Sequence, residues 1–297
     1  MKILVIGHSV IDKIYYEKDE IIKPGGIFYT TVALANIANP SDEVYVCTTI
    51  DKLNEKLFPP VFKRIKPNYI SYSPNIPTVK LNIYNNKERE EKYENVSGNL
   101  QFNIGDFNRF DVIMINMITG YDITLAQLKE IRKSYNGIIY FDVHTFSRGL
   151  DSDMRRNFRR IKDFKEWAKC VDIIQCNELE VKTLSSKTIE KEIARELIGY
   201  GVKQLIVTKG NKGAKVYFSK NTFLSSEEIP ALDVESVNKV GCGDVFGAVY
   251  FYNYIGNENL IEALTLANIA AGTSATYSDI DDYLNLKNDV FARYNKA

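Results

Sequence analysis

Metal-ligating side chains are scarce in this chain. Its 297 residues include four cysteines, Cys47, Cys170, Cys176 and Cys242, and two histidines, His8 and His144. No Cys-x-x-Cys pair occurs, which argues against a structural zinc site and fits a reducing, cytoplasmic setting. Net charge is equally lacking, because 38 Lys+Arg offset 38 Asp+Glu. No global field therefore draws the chain to nucleic acid or to a membrane of acidic lipid. Long hydrophobic runs are missing too: residues 245–257 are too few to span a bilayer, and 263–278 are interrupted by Thr, Ser and Asn. The opening twelve residues contain no small-residue cleavage site and meet Asp12 early, so they read as a buried strand and not as a signal peptide. There is no internal repeat and no low-complexity linker. What is present is core-forming material. Hydrophobic residues make up 45% and aromatics 12%, which excludes disorder. At roughly 150 residues per domain, the length allows about two domains or one large α/β unit with an appendage.

Continuous apolar strands are predicted at 2–7, 44–48, 112–115, 138–143, 171–176 and 204–208, of the type buried on both faces of a parallel sheet. Helices are predicted at 124–133, 157–170 and 189–197. In the first, Leu125, Leu128 and Ile131 share a face, and Thr124 with Gln127 forms a capping box. This alternation implies a mostly parallel sheet with helices on both sides and ligands beyond the carboxyl ends of its strands. One region breaks the rhythm. Residues 78–84 alternate Val79, Leu81 and Ile83 with polar neighbours, Asn85-Asn86 is a turn candidate, and 87–94 carry seven charges in eight residues. That run reads either as a solvated surface or as a β flap with its apolar side over a ligand. Residues 13–22 would supply the flap's other strands.

The segment richest in chemistry is Asn238-Lys-Val-Gly-Cys-Gly-Asp-Val-Phe-Gly-Ala248. Closely spaced glycines let successive backbone N–H groups face one point, and a helix beginning there adds its dipole to the anion site. A carboxylate at its mouth suits proton removal from an attacking hydroxyl while the amides hold the transferred charge. Two plainer readings stand beside this one: Gly-x-Gly-Asp as an ordinary turn, and 245–252 as a strand rich in aromatic and β-branched residues.

The same segment resembles the signature of the ribokinase (PfkB) family of carbohydrate and nucleoside kinases. The resemblance runs along nearly the whole chain. Gly7-His-Ser-Val-Ile-Asp12 is similar to the family's first strand, which ends in an Asp that holds substrate hydroxyls, and Gly25-Gly26 to its substrate-side di-glycine. Ile76-Pro-Thr-Val-Lys-Leu81 is similar to the start of its lid. Asn177-Glu-Leu-Glu180 matches its Asn-x-x-Glu motif. Thr208-Lys-Gly-Asn-Lys-Gly213 resembles its ATP-side loop, and Ala267-Asn268 the helix beside the adenine. The fold this implies is a ribokinase-like three-layer α/β/α sandwich. It would form one domain over 1–297, with a mostly parallel central sheet and a small β lid built from about 13–28 and 70–98.

The resemblance implies an ATP-dependent phosphotransferase acting on a primary hydroxyl of a sugar or nucleoside. Asp244 would be the general base, and Gly241, Cys242 and Gly243 the anion hole. Asp12, Gly25, Gly26, Thr30 and His144 would bind substrate, and Asn177, Thr208, Gly210, Gly213 and Asn268 would bind ATP. Glu180 would reach Mg2+ through water. Lid strands of this family pair into homodimers, which is the partner expected here. Asn-x-x-Glu is also an ordinary capping arrangement, and Asn259–Glu262 repeats its spacing without a function assigned.

Three departures bear on the reading. The family's Asp-Thr before the glycines is Asn238-Lys239 here, a change of about two charges that disfavours a bound potassium ion. Either the Lys239 ammonium replaces that ion, or the side chain points to solvent. Thr30 stands where sugar-specific members carry Asn, which weakens ribose-type recognition and suits a nucleoside base or a less polar sugar. The stretch at Asn116-Met117 carries no acid. His144, Arg148 and His8 are candidate substrate contacts or structural hydrogen-bonders, and Cys242 reads as a space filler. The rival to an active enzyme is a weak or inactive kinase-fold sensor that binds a nucleotide or sugar.

Overall fold

The computed structural model describes residues 1–16, 19–58, 64–84 and 90–296. The Asn85-Asn86 turn and the charges at 87–89 lie outside the described residues.

Strands β1 (Lys2–Ile6), β2 (Ser9–Tyr16), β3 (Asp19–Gly26), β4 (Glu43–Ile50), β5 (Lys66–Tyr72), β6 (Thr78–Asn82), β7 (Glu90–Asn95) and β8 (Val112–Asn116) come from the first half of the chain. The second half supplies β9 (Ile138–Asp142), β10 (Arg148–Leu150), β11 (Arg156–Phe158), β12 (Ile173–Asn177), β13 (Gln204–Thr208), β14 (Ala214–Lys220) and β15 (Phe223–Ile229). Nine of them form one sheet in the order β15-β14-β13-β12-β9-β8-β1-β4-β5. Its pairings from β13 to β5 are parallel, and the β14–β15 hairpin closes it antiparallel.

Strand β1 shows why the sheet is buried on both sides. Ile3 and Val5 join one core cluster, and Leu4 and Ile6 join another. The first core packs under α1 (Ile27–Ile37) and the C-terminal helices. The second packs under α2 (Leu125–Ser134), α3 (Phe164–Ala168) and α4 (Glu190–Gly199). The C-terminal helices are α5 (Cys242–Asn257), α6 (Leu260–Ser274) and α7 (Leu286–Tyr294). The result is helix, sheet and helix in three layers. The predicted Thr124–Gln127 capping box is formed at α2 in both directions.

A second sheet of four strands, in the order β3-β2-β6-β7, stands apart from the first. Along β6 and β7, Val79, Leu81, Glu91 and Tyr93 are buried while their neighbours are more exposed, the period-two pattern of a half-covered sheet. It forms a single layer. Its strands begin and end differently from the expected segments: β2 starts at Ser9, residues 27–28 lie in α1, and residues 70–72 lie in β5 of the large sheet.

Two further expectations are corrected. Residues 157–170 are not one helix. Arg156–Phe158 pairs with β10, Asp163 takes a left-handed backbone at φ 52, and only Phe164–Ala168 is helical. Arg156 donates to the carbonyls of Arg148 and Thr119, which holds this segment extended against the body. Asp12 does not end the first strand. β1 stops at Ile6, and Asp12 lies within β2, between β3 and β6. By contrast, residues 245–252 are helical despite their strand-like composition. α5 is wedged between the sheet and α1 and α6, and it buries every residue from Asp244 to Phe251. Tertiary burial here outweighs local propensity.

Candidate active site

A cavity of about 40 Å3 lies between the small sheet and the carboxyl ends of the large one. The small sheet contributes Val10, Asp12, Val79, Leu81, Glu91 and Tyr93 to its wall, and the body contributes Tyr29, Ile118, His144, Thr145, Gly241 and Asp244 among others. Asp12 is 5% exposed and Asp244 is 6% exposed, so both carboxylates are sheltered from bulk water.

Two glycines make this geometry possible. Gly25 pairs with Val10 across β2 and β3, and a Cβ at residue 25 would collide with the Asp12 carboxylate. Gly241 is the N-cap of α5 at φ 83, and a Cβ there would run into the Tyr29 ring. That left-handed backbone favours glycine. No side chain caps the start of α5, and Asp244 sits in its first turn. The helix therefore presents its N-terminal end, with the positive end of its dipole, beside the Asp244 carboxylate. Behind this turn, Gln175 Nε2 donates to the Gly243 carbonyl at 2.9 Å while Gln175 Oε1 accepts from the Tyr140 hydroxyl at 2.5 Å. The loop is thus tied to β12 and β9.

Electrostatics concentrate under the same loop. The Asp142 carboxyl is held well above the usual range by burial, then by the Asp244 and Glu180 charges nearby. Tyr29 is also held high, first by burial and then by Asp12, Tyr283 and Asp244. Burial pushes the Cys242 thiol up to about 11, which makes it unreactive as a nucleophile and agrees with a filler. The Cys242 thiol donates to the Asn238 carbonyl.

The expected nucleotide-side residues gather at the ends of the neighbouring strands. Asn177 and Thr208 are register partners at the ends of β12 and β13, and Gly210 and Gly213 bound the turn that follows. Asn268 lies on α6 and donates to the Pro230 carbonyl at 2.9 Å. Asn177 and Glu180 bond reciprocally: Asn177 Oδ1 accepts from the Leu179 and Glu180 amides, and Glu180 Oε2 accepts from the Asn177 amide, all at 2.9 Å. The capping geometry is therefore present. Asn259 caps α6 in the same style through the Glu262 amide. Among the described residues, no three His, Cys, Asp or Glu side chains are grouped to hold a metal ion. A carboxylate at Glu180 would fit magnesium that keeps most of its water.

The comparisons with known proteins follow this geometry. Residues 144–283 match the model of the pfkB family carbohydrate kinases, the stretch that holds His144, Asn177–Glu180, the Gly210 turn and the Asp244 loop. That match covers just under half of the chain. The cytidine kinase of Thermococcus kodakarensis is 32% identical over 105 residues, covering 34% of this chain and 36% of that protein. The chain thus spans about a third of that curated relative's length. Ribokinase from Thermotoga maritima superposes with a TM-score of 0.74 at 19% identity, covering 99% of both chains. Arabidopsis thaliana ribokinase complexed with ribose and ATP superposes at 0.73 with 16% identity, covering 98% of this chain and 97% of that one. These likenesses establish a ribokinase-like fold.

Within that fold, the residues expected at the substrate separate into two groups. Asp12, Gly26, His144, Gly241 and Asp244 share the cavity. Thr30 does not reach its wall; it is fully buried in α1, where its hydroxyl accepts from Asn116 Nδ2 at 2.9 Å. The position sits one residue away from the cavity-lining Tyr29, and helical geometry turns it toward β8. His8 is a structural residue. It is buried, with Nδ1 3.0 Å from Asp122 Oδ1 and Nε2 3.1 Å from the Gly98 carbonyl. Lys239 is exposed, and the Asn238 side chain accepts from the Val240 amide at 3.0 Å. Sequence reasoning missed Glu91 as a wall residue. The signal for Glu91 was its place two residues before Tyr93 on an alternating strand.

Proposed function

We propose that this chain is an ATP-dependent kinase that transfers the γ-phosphate to a primary hydroxyl of a sugar or nucleoside. The observation that carries this reading is the shared cavity. Asp244, at the uncapped start of α5, faces the same enclosed space as Asp12 on the small sheet. A hydroxyl held by Asp12 would lie within reach of a base, and the amides of Gly241, Cys242 and Gly243 would hold the charge on the transferring group. Asp244 takes the hydroxyl proton. Asn177, Thr208, Gly210, Gly213 and Asn268 would hold the nucleotide. Magnesium, when bound near Glu180, offsets phosphate charge. The small sheet acts as a lid that shields the reacting groups from water. The exposed apolar residues Ile21 and Ile22 on its edge strand β3, 39% and 52% exposed, would pair two lids into a homodimer.

The test is ADP release by the purified protein with ATP, Mg2+ and a panel of sugars and nucleosides. Asp244→Asn is expected to lower kcat by roughly 10²–10⁴ while ATP affinity changes only a few fold. Equal turnover by this variant overturns the base assignment. Binding without turnover by the wild type favours the sensor reading.

A further inference from the structure

Glu91 is a carboxylate on the wrong side of its strand. Alternation along β7 sends Glu90, Lys92 and Glu94 outward and turns Glu91 and Tyr93 inward, where Glu91 pairs across the sheet with Leu81. It is 5% exposed and lines the cavity. A buried carboxylate on an apolar face is costly and persists when it is paired. Its partner is the buried Arg148 on β10, with Nη1 at 3.7 Å from Glu91 Oε1, and that guanidinium lies 4.3 Å over the Phe158 ring. The strand carrying Glu91 is itself fastened to the body. The Tyr93 amide donates to the Met154 carbonyl at 2.8 Å, and Lys92 bridges to Arg155. The carboxylate is thus held in place at the cavity wall.

Three carboxylates therefore line this cavity, Asp12, Glu91 and Asp244, and among the described residues no Lys or Arg does. Ionised carboxylates only accept hydrogen bonds, so the ligand groups that meet them must donate. Away from the Gly241–Gly243 amides, a phosphate or carboxylate on the acceptor would meet the like charges of Asp12 and Glu91 in a sheltered space, where repulsion is poorly screened. The rest of the small-sheet wall is apolar, through Val79, Leu81 and Tyr93. We infer that Glu91 is a specificity-determining residue of the acceptor site, which takes an uncharged acceptor rich in hydroxyl or amino donors and rejects its phosphorylated counterpart. This inference rests on the kinase reading for the word acceptor, but the ligand preference can be measured without turnover.

The experiment pairs thermal-shift binding with ADP release, for wild type and Glu91→Gln, using neutral sugars and nucleosides and their monophosphate esters. The melting temperature without ligand reports folding of the variant. Neutral compounds are expected to bind and the esters not to. Glu91→Gln is expected to raise KM for the neutral acceptor by roughly tenfold, with kcat within about threefold, because it weakens a hydrogen bond to a charged group and not the chemical step. A purely structural Glu91 would lower the melting temperature and leave KM unchanged. Esters that bind as well as neutral compounds, or an unchanged KM in a folded variant, overturn the inference, as does a wild type that binds no panel compound. Should Glu91→Gln not fold, the wild-type preference decides alone. Ligand-specific shifts without ADP release would overturn the kinase reading and leave the Glu91 assignment standing.

Discussion

Asp142 shows what the site costs a single residue. Burial and the neighbouring charges of Asp244 and Glu180 raise its carboxyl above the ordinary value of 3.8. The folded chain therefore keeps a proton that the unfolded chain has already lost. Stability contributed by this group is full below the ordinary carboxylate value and falls as pH rises through the raised folded value. Asp142→Asn removes the charge without changing the shape, and the Asn oxygen still accepts the His144 amide that Asp142 Oδ1 holds at 3.2 Å. In ligand-free protein the variant is expected to melt roughly 2–4 °C higher at pH 7, the shift of about 1 kcal/mol in a large domain. The gain should vanish near pH 4. Melting curves from pH 4 to 8 check this, and a gain independent of pH would refute the electrostatic cause. The ends of β9 and β12 thus trade stability for a cluster of carboxylates under the Gly241–Asp244 loop, a pattern found at functional sites.

At the scale of elements, the attachment of β7 to the β10–β11 hairpin is the least legible feature and the most consequential. Arg156 stacks 4.5 Å from the centre of the Tyr93 ring and donates to the Thr119 carbonyl, so one side chain ties the small sheet to the loop after β8. Arg156→Ala removes both contacts. It is expected to cost about 1–3 kcal/mol, and amide exchange should quicken at 90–95 and 156–158 ahead of the rest of the chain. Acceptor-independent ADP release should rise as water enters. Unchanged exchange at 90–95 would sink the tether. In sequence, residues 157–170 look like a helix because Trp167 and its neighbours repeat at helical spacing. What defeats that reading is long-range: carbonyls of Arg148 and Thr119 that only the folded chain brings to Arg156. The Thr124–Gln127 box, whose partners lie three residues apart, was readable for the opposite reason.

The whole molecule follows the same division between local and distant causes. The strands β1, β4, β8, β9, β12 and β13 were legible because each one's burial is written in its own residues, and the Gly241–Asp244 loop because its glycines, acid and helix are contiguous. The order of strands, the position of Asp12 in the small sheet and the inward turn of Glu91 depend on pairings between distant segments, which periodicity does not encode. Those distant pairings also make the fold a unit. Successive residues of β1 feed opposite cores, so neither core can loosen without disturbing the sheet that both share. The chain's single tryptophan, Trp167, packs against Phe146 with ring centroids 4.6 Å apart and planes tilted by 55° in one core, while Phe251 is fully buried in the other. Phe251→Ala is expected to cost about 3–5 kcal/mol through the cavity it leaves, lowering the melting temperature by roughly 6–12 °C. The Trp167 fluorescence transition should move by the same amount as the far-UV circular dichroism transition, since coincident probes mark all-or-none unfolding. If Trp167 fluorescence kept its wild-type midpoint while the helical signal melted early, the two faces of the sheet would be unfolding separately, and the shared sheet would not couple them.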